Sequence, residues 1–227
     1  MATLTFLILW VYPWEFMPLT VDSSFYPITT LSPWVIDIAL LLLFALQHSL
    51  MARPFIKEKL FAKHSEAFKA ATYTITSSLA LLLLYLFWQP IMIEVWSLQG
   101  VGSAIMIVLY IVAWVFAFVA TFLIDHFALF GLHQGYRALK NIPEPKAHFQ
   151  AKGFYRFVRH PIQAGTMIGL WTTPVMTLGH LLLSAGFTLY IFIGLYLEEK
   201  SLVATFGEIY QKYQKDVPML LPFFKLS

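Results

Sequence analysis

The chain has no cysteine in its 227 residues, which excludes disulfides, thiolate nucleophiles and cysteine-ligated metals. Charge is scarce as well. Asp, Glu, Lys and Arg together make up 12% of the residues, about half the share of an ordinary soluble domain. Long stretches lack basic residues altogether: none of the fifteen Lys and Arg lies in 1–52, 70–136 or 160–199. The amino end has neither a basic n-region nor a small-residue cleavage site, so a cleaved signal peptide is not expected. Internal repeats and low-complexity segments are missing too.

What remains is apolar. Hydrophobic residues make up 59% of the chain and the mean hydropathy is +0.71, which predicts an all-α, polytopic integral membrane protein. The basic residues fall in three windows, five in Arg53–Lys69, six in Arg137–Arg159 and four in Lys200–Lys225. Lys and Arg mark cytoplasmic loops, so all three windows are expected on the cytoplasmic side. They are strung along loops instead of gathered on one soluble face, which speaks against nucleic acid as a partner. Lipid is the implied environment.

These constraints place the spans of a single membrane domain over residues 1–227. Met1–Tyr12 is apolar but reaches only about 18 Å as a helix, at ~1.5 Å per residue, before Pro13, Pro18 and Pro27. It reads as a short or tilted span, or as an interfacial segment. Trp34–Met51, Thr72–Ile93 and Val101–Ile124 are predicted to cross. Pro161–Leu197, with a turn near Met176–His180, is shorter than the roughly 40 residues two square crossings need, so it reads as a tight helical hairpin. Gly165 with Gly169, and Gly186 with Gly194, supply small residues for close helix approach. Residues 198–222 form a cytoplasmic cap, in which Leu202, Val203, Phe206, Ile209, Tyr210 and Tyr213 share one face of an amphipathic helix.

This topology gathers His48, Asp125-His126, Arg159-His160 and Glu198-Glu199 at one depth. Pro161 suits the first position of a helix. The open N–H groups of that helix start, with Arg159 beside them, suit a carboxylate or phosphate. The plainer alternative has Arg159 snorkelling to lipid phosphates and His160 at the interface. Glu198-Glu199 is expected at the far end of the hairpin, where the helix dipole disfavours carboxylates. That calls for a nearby cation: Lys200, Arg159, or a bound sulfonium or ammonium group.

The pattern RHPxxxG, a hairpin, EE and then FGxxYxxYxxxVPxxxP resembles the isoprenylcysteine carboxyl methyltransferase superfamily of integral-membrane methyltransferases. Within it, the chain is closer to the methanethiol S-methyltransferases and their NnrU-like relatives. The likeness extends to FALQHSLMARP (Phe44 to Pro54), FLIDHFALFGL (Phe122 to Leu132) and WTTPVMTLGHLL (Trp171 to Leu182), covering Trp34 to Pro222. It implies five spans and an S-adenosylmethionine site facing the cytoplasm of a bacterial inner membrane. The implied reaction is methyl transfer to a small thiol, methanethiol giving dimethyl sulfide. By the same likeness Tyr155, Arg159, His160, Gln163 and Gly165 would hold the cofactor. Glu198 and Glu199 would lie near its sulfonium or ribose, and a tail including Tyr210 and Leu220 would close over it. Gln163 stands where many superfamily members carry tyrosine.

A thiol reacts as its thiolate, so a base is needed, and His48, Asp125 and His126 are the candidates for catalysis. No resident metal is expected. Two alternatives stand beside this reading. One is a methyltransferase with a lipid-like acceptor. The other is a haem-binding NnrU-like isomerase ligated by His48, His126, His133 or His160.

Overall fold

The computed structural model describes residues 2–11, 19–143, 145 and 148–222. Pro13, Pro18 and Glu144 lie outside them. In chain order the elements are α1 (Ala2–Val11), α2 (Pro33–Ala52), α3 (Pro54–Phe61), α4 (Glu66–Phe87), β1 (Glu94–Ser97), α5 (Val101–Ile124), α6 (His126–Leu129), α7 (Leu132–Lys140), α8 (Pro161–Trp171), β2 (Val175–Thr177), α9 (Leu178–Phe206) and α10 (Glu208–Asp216). A 3-10 turn at Gly153–Arg156 precedes α8. Helices α2, α4, α5 and α9 are long and apolar enough to cross a membrane. The chain is a multi-pass membrane protein.

The backbone chemistry sets most boundaries. Pro33 opens α2, and Arg53 turns extended ahead of Pro54 to end it, as a residue preceding proline does. Helix α4 begins six residues before the expected Thr72, because the Ser65 side chain caps it by accepting from the Phe68 N–H at 3.2 Å. The added first turn carries Lys69, buried between Glu58 at 2.9 Å and Glu66 at 2.8 Å. Its other end comes early, at Phe87, just ahead of Gln89-Pro90.

The chain forms two compact units. The first comprises residues 1–98, 127–143 and 174–186. In it α2 is tied to α4 and to the segment that follows it: Gln47 donates to Thr76 at 2.8 Å, and Asp37, fully buried, accepts the Gln89 N–H just beyond α4 at 2.8 Å. The stretch between the second and third spans and the start of the expected hairpin turn pair as the antiparallel strands β1 and β2, Glu94 opposite Thr177 and Ser97 opposite Val175. The Thr177 hydroxyl donates to Asp22 at 2.6 Å, fastening the segment ahead of α2.

The second unit comprises residues 99–126, 144–173 and 187–227, and its spine is α5 against α8. A Cβ on Gly165 would lie 2.6 Å from the Ala113 carbonyl oxygen, and one on Gly169 would lie 2.6 Å from the Trp114 ring nitrogen. The facing Ala113, Ala117 and Ala120 are buried, so small residues on both helices bring the backbones together. Gly194, by contrast, has open space where its side chain would be. Gly165→Ala is expected to cost about 1–3 kcal/mol through overpacking. Gly194→Ala should be neutral or gain up to roughly 1 kcal/mol from helix propensity. Thermal unfolding in detergent separates the two.

The expected hairpin has unequal arms. Helix α8 has 11 residues and α9 has 29. Glu198-Glu199 therefore lies two turns inside α9 and not at a helix C-terminus. The dipole argument for a nearby cation lapses, and the cation's identity has to come from the contacts.

Candidate functional site

Helix α8 begins where His160 turns the chain and Pro161 takes the first position. The Arg159 and His160 N–H groups donate to the Pro218 and Met219 carbonyls at 2.9 and 3.0 Å. The segment after α10 is thereby laced to the start of α8. The side chains finish the lacing. Arg159 Nε donates to Glu199 Oε1 at 2.5 Å, and its Nη1 donates to the carbonyls of Gln214 at 3.0 Å and Val217 at 2.5 Å. His160 Nε2 meets the same Glu199 oxygen at 3.1 Å, and Gln214 donates to Glu199 Oε2 at 3.0 Å. Arg159, His160 and Glu199 are all buried, with both carboxylate oxygens occupied.

The two glutamates thus part company. Glu199 is spent on Arg159 and His160, while Glu198 is exposed and makes no hydrogen bond or ion pair among the described residues. Two sets of donors also remain. Arg159 Nη2 has no acceptor, and neither do the Ile162 and Gln163 N–H groups in the first turn of α8, among the described residues. The arrangement offers N–H donors for an anion and one carboxylate for a cation.

A tyrosine cluster covers the other side of the ion pair. The buried Tyr210 hydroxyl points to Glu199 Oε1 at a long 3.5 Å, and Tyr213 donates to the Tyr155 carbonyl oxygen. The Phe149 ring packs on Tyr213 at 5.1 Å, Phe206 at 5.8 Å and Tyr210 at 6.0 Å between centroids. Burial raises the Tyr155 and Tyr210 hydroxyls above their ordinary range and pushes Tyr213 up to about 12, with Glu199 adding to it and Arg159 opposing. All three remain protonated donors at neutral pH.

His126 belongs to the same unit. Thr121 Oγ1 donates its single proton to the Phe118 carbonyl at 2.6 Å, yet it also lies 2.6 Å from His126 Nδ1. With the hydroxyl proton on the Phe118 carbonyl, Nδ1 is the donor in the second contact, the tautomer in which Nε2 is the ring's acceptor. Phe122 stacks flat on the imidazole at 4.2 Å and 4°. Tyr155 connects this end of α5 to the ion pair, its hydroxyl reaching the Ala120 carbonyl at 3.5 Å. Asp125 caps α5 in an extended conformation. His48 lies in the first unit, where Nε2 meets the Tyr73 hydroxyl at 2.7 Å and Phe44 stacks at 5.3 Å.

The profile of the family described as "NnrU protein" matches residues 37–220. The chain belongs to the NnrU family. It is 41% identical over 209 residues to a methanethiol S-methyltransferase of Crocosphaera subtropica, covering 92% of this chain and 82% of the relative. A methanethiol S-methyltransferase of Pseudomonas deceptionensis is also 41% identical, over 91% of this chain and 79% of its own. Bovine nurim is 30% identical over 71% of this chain and 64% of its own. No solved structure matches.

Of the NnrU-family residues singled out from sequence, Tyr155, Arg159, His160, Glu199 and Tyr210 meet in one network. Gln163 stands beside it on the first turn of α8. Packing on α5 by itself accounts for the glycine at 165. Leu220 is buried next to Met219, in a core cluster with Ala164, Ile191 and Leu195. The sequence reading missed Gln214, Phe149 and Thr121. Only Thr121 left a trace, as an isolated hydroxyl in an apolar run five residues before a histidine.

Proposed function

We propose that this protein transfers a methyl group from S-adenosylmethionine to methanethiol, giving dimethyl sulfide, in the bacterial cytoplasmic membrane with its site facing the cytoplasm. One observation carries the reading: a buried Arg159–Glu199–His160 network closed by the tail, in a chain 41% identical to proteins named for this reaction. The basic residues around the site in the second unit, from Lys152 to Arg159 and from Lys200 to Lys215, support the orientation.

The residues fit the donor. S-adenosylmethionine brings an amino-acid carboxylate and cationic groups, and the site has N–H donors and one carboxylate without partners among the described residues. Arg159 Nη2 and the first-turn N–H groups of α8 would take the carboxylate. Glu198 would face the cationic part, and Tyr210, Tyr213 and Leu220 would close the site from water. Glu199 and His160 act one step back by fixing the guanidinium. Gly165 contributes by setting how closely α8 lies on α5.

When bound, the donor supplies the electrophile: the thiolate sulfur bonds to the sulfonium methyl carbon as the bond to the donor sulfur breaks and leaves its electron pair there. His126 Nε2 takes the thiol proton, with Thr121 holding the tautomer that leaves this nitrogen basic. Asp125 precedes it in the chain and helps set the turn. His48 serves its own unit through Tyr73.

The test is headspace gas chromatography of purified protein supplied with S-adenosylmethionine and methanethiol. Protein-dependent dimethyl sulfide is expected, and none from the Arg159→Ala variant. A lipid amine or prenyl thiol methylated in preference to methanethiol would replace the acceptor.

A further inference from the structure

A cavity of about 420 Å³ opens along α8 in the second unit, lined by Ala164, Met167, Ile168, Trp171, Phe192 and Leu220. At roughly 30 Å³ per water, it equals about fourteen waters. A thiol with two heavy atoms fills a small part of that space. The wall is almost wholly apolar, and Thr172 brings a hydroxyl to it. The Trp171 ring nitrogen donates to Thr188 at 2.9 Å, and the Thr172 hydroxyl on the wall gives its proton to the Ile168 carbonyl at 2.9 Å.

The position of the cavity bears on its use. Ala164, one turn into α8, donates its N–H to the His160 carbonyl at 3.0 Å, and the N–H of His160 is tied to Met219, the neighbour of Leu220. One end of the cavity therefore abuts the Arg159-His160 helix start. At the rim, Ile168 is 38% exposed and Phe192 40%, the latter on α9, a helix long and apolar enough to cross a membrane.

We infer that this cavity is an acceptor subsite for the hydrocarbon of thiols larger than methanethiol, taking linear alkyl chains of about six carbons from the bilayer with the sulfur directed to the helix start. The inference rests on the methyl-transfer reading and extends its substrate class. Apolar thiols suit that route, since each methylene strengthens transfer out of water roughly fourfold. The wall supplies almost only apolar contact, so it selects by size far more than by functional group.

The test compares hexane-1-thiol with methanethiol on the wild type, on Ile168→Trp, which fills the cavity from its exposed rim, and on Phe192→Ala, which widens it. The wild type is expected to methylate both. Ile168→Trp should lower the kcat/KM ratio of hexanethiol to methanethiol by roughly tenfold or more, and Phe192→Ala should restore or raise it for longer chains. Binding gives a second readout: 6-bromohexane-1-thiol should quench a part of the fluorescence that Trp171→Phe removes, and hexanethiol should reverse it.

A ratio unchanged in Ile168→Trp, with no Trp171 quenching, overturns the proposal and leaves the cavity to a bilayer acyl chain. A wild type that methylates methanethiol but not hexanethiol overturns it also. Loss of methanethiol turnover in the wild type itself would instead strike the methyl-transfer reading, and Trp171 quenching would still report on the cavity.

Discussion

Glu199→Gln is expected to loosen the tail and the methyl-donor site together. The substitution removes the charge opposite a buried Arg159 whose Nε sits 2.5 Å away, and stranding one member of a buried pair costs about 3–5 kcal/mol. At about 2–4 °C per kcal/mol for a chain of this size, the thermal midpoint should fall by roughly 10 °C. Binding of S-adenosylmethionine should drop as well, because the guanidinium loses its anchor. Glu198→Gln behaves differently. That residue is exposed and has no partner among the described residues, so stability should change by no more than about 0.5 kcal/mol. Losing one charge-assisted contact should weaken donor binding by roughly tenfold to a hundredfold. Equilibrium dialysis with labelled donor and a thermal melt, run on both variants, check the contrast. Equal stability losses in the two would contradict the division of labour between the adjacent glutamates.

His126→Ala should lower kcat with methanethiol by about a hundredfold to ten-thousandfold, the range of a general base, and leave donor binding intact. Thr121→Val tests the mechanism more finely. It removes the acceptor that holds the Nδ1 proton, so the neutral ring no longer favours the tautomer with a basic Nε2. A smaller loss of kcat is expected, with a changed pH profile and an unchanged KM for the donor. His48→Ala, in the first unit, should disturb stability through the lost Tyr73 contact more than it disturbs the rate. If His48→Ala abolishes turnover and His126→Ala spares it, the proton goes to His48.

Much of the membrane body was legible because its signals are chemical and local. Pro33 and Arg53-Pro54 bound a helix for reasons of backbone geometry, whereas the stop ahead of Gln89-Pro90 was read through, the expected span running on to Ile93. The Ser65 cap was equally local, but the turns it opens, from Glu66 to Ala71, carry charge and lie ahead of the apolar run that marks the span. The β1–β2 pairing was not legible: two short segments nearly eighty residues apart show no alternation, and only the fold brings Glu94 opposite Thr177. At the site, Arg159-His160 announced itself through the proline that follows. Which of Glu198 and Glu199 faces inward could not be read, since adjacent residues on a helix differ only in the side they present. Packing of α9 decides it. The close helix approach expected at Gly165 and Gly169 was legible from their spacing, and the Ala113 carbonyl and the Trp114 ring leave no room for a Cβ there.

The most direct test of the central claim is headspace mass spectrometry with S-adenosylmethionine deuterated in its methyl group and unlabelled methanethiol, alongside a visible spectrum of the same sample. The account predicts dimethyl sulfide carrying one fully deuterated methyl, formed by the wild type and not by Arg159→Ala, from protein without a Soret band. Unlabelled dimethyl sulfide, or a Soret band in protein that makes no product, would contradict it.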